Sequence, residues 1–338
     1  MLLTSDGFDH YGPTTTPAAS ITEYLQAAGY VVNNATATTF KVVNGTDAGS
    51  LAMQLTVVAA STTPPSMSRS ISSAAQLVVF GFGFRGTVGR LRFCRIAGVV
   101  DLDWDTVTGK MKIGTALGQD TIILNAWWYI ELAIDKAANE IRVYANDTLQ
   151  LTVDLPPGVG NDYTITWGIP STSATGAVMD IDDFYVVDSS GGQNNARLGP
   201  VAIITRAPTA DVVAQWTPVG VPPTTPHYQI AAQAEPGKAN APYLQANVAG
   251  RTDRFTSNTV MPNDNSIFAV SLVAYARKGD LDDRKLGMTI ATTAGSVENE
   301  ATLTEGYRFQ QVIFEQAPGG TPWDRNKVES SEFGIIAR

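Results

Sequence analysis

The chain has 338 residues, a length that suits two domains better than one. Hydrophobic residues make up 44% and charged residues only 16%, where about a quarter is usual. The deficit, filled by Thr, Ser, Ala, Asn and Gly, favours short strands and turns over long amphipathic helices. The net charge of −9, with no Lys/Arg run, speaks against nucleic acid and anionic membranes as partners.

The opening, MLLTSDGFDH, lacks the basic start and the apolar length of a signal peptide, so a product made in a cytosol is expected, with any later extracellular life reached by assembly or lysis rather than by secretion. No run of ~18 apolar residues occurs, and no membrane insertion is expected. Ser20–Ala28 reads as one short helix, with Ser20 as N-cap, Glu23 in the capping-box position and Gly29 as its end. Strands are predicted near 39–43, 51–59, 77–84, 91–96, 110–114, 121–124, 162–167 and 178–187. The run 76–85, apolar with two glycines, reads as a strand that bends or bulges.

Residues 129–154 carry the clearest pattern. Ile130, Leu132 and Ile134 alternate with Glu131, Ala133 and Asp135; after a turn, Ile141 and Val143 alternate with Arg142 and Tyr144. Asn146-Asp147 marks a second turn, and Leu149, Leu151 and Val153 form a third set. Period two with turn residues between predicts a three-stranded meander with these eight residues on its buried face.

After Asp188 the composition shifts to SSGGQNNARLGP, which reads as a linker over 189–200. The expected organisation is all-β: an antiparallel jelly-roll-like β-sandwich over 1–188, that short linker, and a second β-sandwich domain over 201–338. Its strands are predicted at 201–205, 227–232, 253–256, 267–277, 285–292, 299–302 and 308–315.

The chemistry-bearing residues are sparse. Cys94 lies in a strand-like run and reads as a small buried apolar residue. The only histidines, His10 and His227, have no triad or zinc motif around them. Glu131, Asp135 and Glu140 read as a solvated sheet face, and the single-strand carboxylate motif of sandwich glycosidases is missing. Asp101, Asp103 and Asp105 alternate, so their carboxylates point one way, as a calcium cluster requires, but the EF-hand pattern fails and a solvent-facing acidic edge is the preferred reading. The Ile181-Asp182-Asp183 group near the end of the first domain could approach such a metal from another strand, which the sequence alone does not show. The glycines of 81–86 lack the following helix that phosphate binding needs. No catalytic, cofactor-binding or metal residues are assigned, no cofactor is expected, and the chain reads as a binding and assembly protein rather than an enzyme.

The first domain resembles the concanavalin A-like, laminin G-type jelly roll. The opening Ser5-Asp-Gly-Phe-Asp-His-Tyr11, the meander Trp128–Asp154 and the closing strand Met179–Asp188 carry that resemblance. Nearly the whole chain is similar to a family of tailed-phage virion proteins that join such a domain to a second β-domain. The matching stretches are Asp182–Ser190, Asn195–Val201, Gln215–Pro218, Ala274–Lys278, Pro322–Asp324 and Glu332–Ile336; where this chain has Pro200, the family often has an acidic residue.

The resemblance implies a virion component most often encoded among tail and baseplate genes, tail-fibre or baseplate associated, oligomeric, bound to other virion proteins and in contact with host surface glycans. Trp104, Trp216 and Trp323 are the aromatics available to sugars, with core packing as their other role. The alternatives are a capsid or collar decoration protein and, against the missing motifs, a glycan depolymerase.

Overall fold

The computed structural model describes residues 1–338 except 48, 58–62, 88–90, 169–175, 234–239 and 259–265. Its contacts divide the chain into two units, Met1–Thr205 and Arg206–Arg338. In the first unit the elements are β1 (Leu2–Asp6), α1 (Ala18–Ala27), β2 (Tyr30–Asn33), β3 (Phe40–Asn44), β4 (Leu51–Thr56), β5 (Ser66–Ser72), β6 (Leu77–Gly86), β7 (Arg92–Ile96), β8 (Val100–Trp104), β9 (Lys110–Ile113), β10 (Ala116–Thr121), β11 (Trp128–Asp135), β12 (Glu140–Ala145), β13 (Thr148–Asp154), β14 (Asp162–Gly168) and β15 (Val178–Asp188).

These strands form two antiparallel sheets. The larger runs β13-β12-β11-β6-β15-β4-β3, with β1 also paired to β15; the smaller runs β10-β9-β8-β7-β14-β5-β2. Phe80, Phe82 and Phe84 of β6 turn inward and meet the inward side chains of the smaller sheet. Phe80 packs edge-on to Tyr163, and Phe82 edge-on to Trp167 at 5.6 Å. All five rings are fully buried, each stabilising the fold by roughly 1.5–3 kcal/mol. This is a jelly-roll sandwich, as expected.

The meander is β11–β13, and Ile130, Leu132, Ile134, Ile141, Val143 and Leu151 are buried. Leu149 is not: it is 37% exposed. A bulge pairs Val143 with Leu151 but Tyr144 with Leu149. The extra residue reverses the pleat, so Leu149 shares the outward face with Tyr144 while Gln150 is buried and bonds Asp120. Val153 is half-buried.

Other expectations shift at their edges. The helix starts at Ala18 behind Pro17, so Ser20 lies inside it and caps nothing; Gly29 at φ +88° ends it. The predicted bend in β6 belongs to its partner, for β15 bulges between Asp182 and Tyr185. The strand expected at 121–124 is displaced to β10.

The second unit contains β16 (Ala210–Ala214), β17 (Thr217–Val219), α2 (His227–Ala231), β18 (Tyr243–Gln245), β19 (Thr252–Thr256), β20 (Val270–Ala276), β21 (Lys285–Thr292), β22 (Gly295–Thr302), β23 (Arg308–Phe314), α3 (Arg325–Glu329) and β24 (Glu332–Ala337). Five strands pair as β16-β19-β24-β21-β22, with two-stranded ribbons β17-β18 and β20-β23 beside them. Ile290, Phe314, Ala317, Trp323 and Val328 form its core, with Val270, Leu272 and Val312 of the ribbon packed on it. The expected strand at 227–232 is the helix α2. Pro226 precedes it, and the Asp211 carboxylate accepts hydrogen bonds from the His227 and Tyr228 amides, leaving no donors there for a ladder.

Candidate functional site

The outward face of the larger sheet carries two sets of polar side chains, and they differ. On the half built by β11, β6 and the end of β15, Glu131, Gly81 and Tyr185 share one cross-strand row. Gly81 leaves room for the Tyr185 ring, since a Cβ there would lie 2.2 Å from it. The segment expected as a linker crosses this row. Arg197 donates to Glu131 at 2.5 Å and pairs with Asp147 at 2.6 Å, its guanidinium 4.0 Å above the Tyr144 ring. The Gly199 amide also donates to Glu131 at 2.9 Å, and the Tyr185 hydroxyl donates to the same carboxylate. The Leu198 amide donates to the Tyr185 hydroxyl. Glu131 is therefore 1% exposed, not part of a solvated face.

Farther along, the β15 bulge presents Asp182 and Asp183, the latter in the left-handed region at φ 48°. Asp183 accepts from the Ile203 amide and the Thr46 hydroxyl, both at 2.7 Å, and Asp182 from the Thr46 amide at 2.8 Å. Asp9 accepts from the Leu51 amide. Burial, then the charge of Asp183, pushes Asp182 up to about 8. Burial likewise pushes Asp183 up to about 6 and raises Asp9. These acids hold residues 197–203 and the loop at Thr46 in place. Among the described residues no three His, Cys, Asp or Glu side chains converge as a metal site.

The other half lies at the Gly86 end. Here Arg85 pairs with Asp180, Asp180 with Gln54, and Gln54 with Lys41, so four adjacent strands place one outward residue each in a single row. Trp127, one residue before β11, extends the row, with the Arg85 guanidinium 4.7 Å over its ring. Asp180 is 1% exposed. One of its oxygens accepts from Arg85 Nε and lies 2.7 Å from Nη2; the other accepts from Gln54 Nε2 at 2.8 Å. Arg85, Gln54 and Trp127 are half-buried and Lys41 is exposed. Apart from Trp127, nothing outside the sheet bonds to this row among the described residues. With strands ~4.8 Å apart, the row is roughly 19 Å long. It offers an indole, a guanidinium, an amide and an ammonium side by side.

The residues singled out in the sequence fall elsewhere. Asp101 and Asp103 do point the same way from β8, on the outward face of the smaller sheet, but arginines neutralise them. Arg92 reaches Asp103 at 2.7 Å and Asp101 at 3.1 Å, and Arg95 reaches Asp101 at 3.3 Å. Asp105 lies past the strand and accepts from the Thr108 amide and hydroxyl. Trp104 stacks on Phe93 and Trp323 donates to the Phe314 carbonyl, both buried. Trp216 is half-buried, donating to the Arg251 carbonyl. Cys94 is buried, and burial pushes its thiol up. His10 packs against Tyr11. His227 lies 2.6 Å through Nδ1 from Asp253, which also accepts from the Gln215 and Trp216 amides. Trp127, Arg85, Asp180, Gln54 and Lys41 carry no signal as a group in the sequence, because only strand register joins residues so far apart.

No family model matches the chain, and no curated protein does. Among solved structures it is similar to the alginate lyase AlgAT5 of polysaccharide lyase family 7, at 12% identity and TM-score 0.36, over 49% of this chain and 97% of that one. It is similar to an alginate lyase from Corynebacterium sp. at 13% and 0.38, over 52% and 99%. A third is the carbohydrate binding module CBM66 from Bacillus subtilis, at 10% and 0.29, over 46% and 94%. At such values the likeness identifies no ligand and no reaction. It does correct one expectation: polysaccharide-cleaving enzymes stand among the structures this chain resembles, so the exclusion of catalysis from missing sequence motifs no longer holds.

Proposed function

We propose that this protein is a glycan-contacting component of a tailed-phage particle, and that it meets glycans through the row Trp127–Arg85–Asp180–Gln54–Lys41. The row itself carries the glycan reading. Its buried Asp180 fixes the side chains on either side of it, and a rigid polar set ending in an indole suits a ligand that is apolar on one face and hydroxylated at its edges. The particle reading rests on the sequence stretches that resemble virion proteins, and on a pair of β units that suit repeated assembly. Tail association is preferred because those relatives are most often encoded among tail genes.

A panel of bacterial surface polysaccharides, tested against the purified chain and its Trp127→Ala variant, examines the contact. The expected result is binding that the variant loses while its stability changes by no more than about 1 kcal/mol. Equal binding by both proteins would contradict it. Following the glycan's chain length during the incubation reads whether contact leads to cleavage. For the particle, labelling of purified virions is expected at the tail. Label on the capsid favours a decoration protein, and unlabelled particles overturn the virion reading.

A further inference from the structure

We infer that the row takes a neutral glycan, a run of pyranose rings presenting adjacent hydroxyls, in preference to a polyuronate; this rests on the glycan-contact reading above. The discriminating feature is which hydrogen-bonding valences the row has already used. Asp180 draws both Nε and Nη2 of Arg85 onto one oxygen. The guanidinium charge is thereby compensated and its Nε/Nη2 edge is occupied, so that only the Nη1 end is left to a ligand. Because Asp180 can only accept, the Gln54 amide turns its nitrogen to it and leaves its oxygen facing outward.

What the row offers a ligand is therefore Arg85 Nη1 as donor, Gln54 Oε1 as acceptor and Lys41 Nζ as donor, none with another partner among the described residues. A pair of neighbouring hydroxyls both donates and accepts, and so matches that alternation. A sugar carboxylate only accepts. It would leave Gln54 Oε1 without a proton and would sit near the Asp180 charge. Lys41 is exposed, so its attraction for an anion is screened by salt. The chain's net charge of −9 also opposes a polyanion. The half-buried indole of Trp127, one face of which lies under the Arg85 guanidinium, offers its remaining surface to a sugar ring.

The test is calorimetric titration of the full chain with cello-, manno- and xylo-oligosaccharides and with oligoalginate of the same length, at low and high salt. At least one neutral series is expected to bind with little salt dependence. Trp127→Ala and Gln54→Met should each weaken it by about ten-fold or more, the equivalent of ~1.4 kcal/mol. Trp127→Phe should keep most of the affinity, which separates loss of the stacking surface from loss of the fold. If oligoalginate binds more tightly than every neutral series, with affinity that falls in salt and on Lys41→Met, the neutral-glycan inference is overturned while the contact site stands. If no oligosaccharide binds, the contact reading fails and this inference fails with it.

Discussion

One sheet face is used in two ways along the same strands. At the Gly81 end a segment that crosses the sheet helps to saturate its acids: Arg197 and Gly199 bond Glu131 beside Tyr185 of the sheet, and Ile203 bonds Asp183 beside Thr46. At the Gly86 end an equally buried acid, Asp180, is saturated by its own sheet neighbours, and their remaining donors and acceptor point outward. Both halves contain a carboxylate at 1% exposure. Burial of charge therefore does not mark a site; what distinguishes the halves is where the unused valences of the surrounding residues lead.

The covered half should respond most strongly to loss of its acid. Glu131→Ala leaves the Tyr185 hydroxyl and the Gly199 amide without their acceptor and Arg197 with Asp147 alone, and is expected to cost about 3–5 kcal/mol. Thermal melting would read this, and amide exchange at Leu198 and Gly199 should rise; unchanged exchange there would show that residues 197–203 are held by something else. Leu132→Ala, in the core beneath the same row, should cost roughly 2–5 kcal/mol without freeing that segment. A melt unchanged from wild type would refute the meander assignment.

pH sharpens the contrast further. Asp182 and Asp183 are raised above the ordinary carboxylate value, so the folded chain holds protons that the unfolded chain has released. Their contribution to stability is fully present below about pH 4. It is lost as pH rises through about 6 and then about 8. Asp182→Asn should flatten that part of the melting profile, and a variant as pH-dependent as wild type would argue against the burial of this pair. The open half should move least. Trp127→Ala should shift stability by no more than about 1 kcal/mol while removing glycan binding. Arg95→Ala on the smaller sheet, breaking an exposed pair with Asp101, should change stability by about 0–1 kcal/mol and binding not at all.

Much of this architecture was legible in the sequence, and the reasons are local. Ile130, Leu132 and Ile134 alternate without interruption, and one buried face follows directly from that pleat. Leu149 alternates just as well but lies past a bulge, and a single extra residue in a ladder leaves no mark in hydrophobic periodicity. Ser, Gly and Asn after Asp188 correctly signal the end of strands. Composition could not show that Arg197, Gly199 and Ile203 find partners on β11 and β15, because those bonds span 66, 68 and 20 residues of sequence. The row at the Gly86 end was illegible for the same reason. Arg85 and Asp180 are separated by 95 residues, and Gln54 and Asp180 by 126. Of the aromatics that the sequence offers to sugars, Trp104 and Trp323 are core residues and Trp216 is half-buried, while Trp127 beside the meander carries no such mark.

The central claim is that the open row, and not the covered half or the smaller sheet, is where a glycan is met. Chemical-shift mapping of the isotope-labelled full chain, titrated with the tightest-binding neutral oligosaccharide, tests it most directly. The account predicts that the Trp127 indole N–H, the Gln54 side-chain amide and the Arg85 guanidinium signals move together and saturate at one ligand concentration, while Gly199, Arg95 and Trp216 stay in place. Saturable shifts confined to the smaller sheet, to residues 197–203 or to the second unit, with the row unmoved, would contradict it.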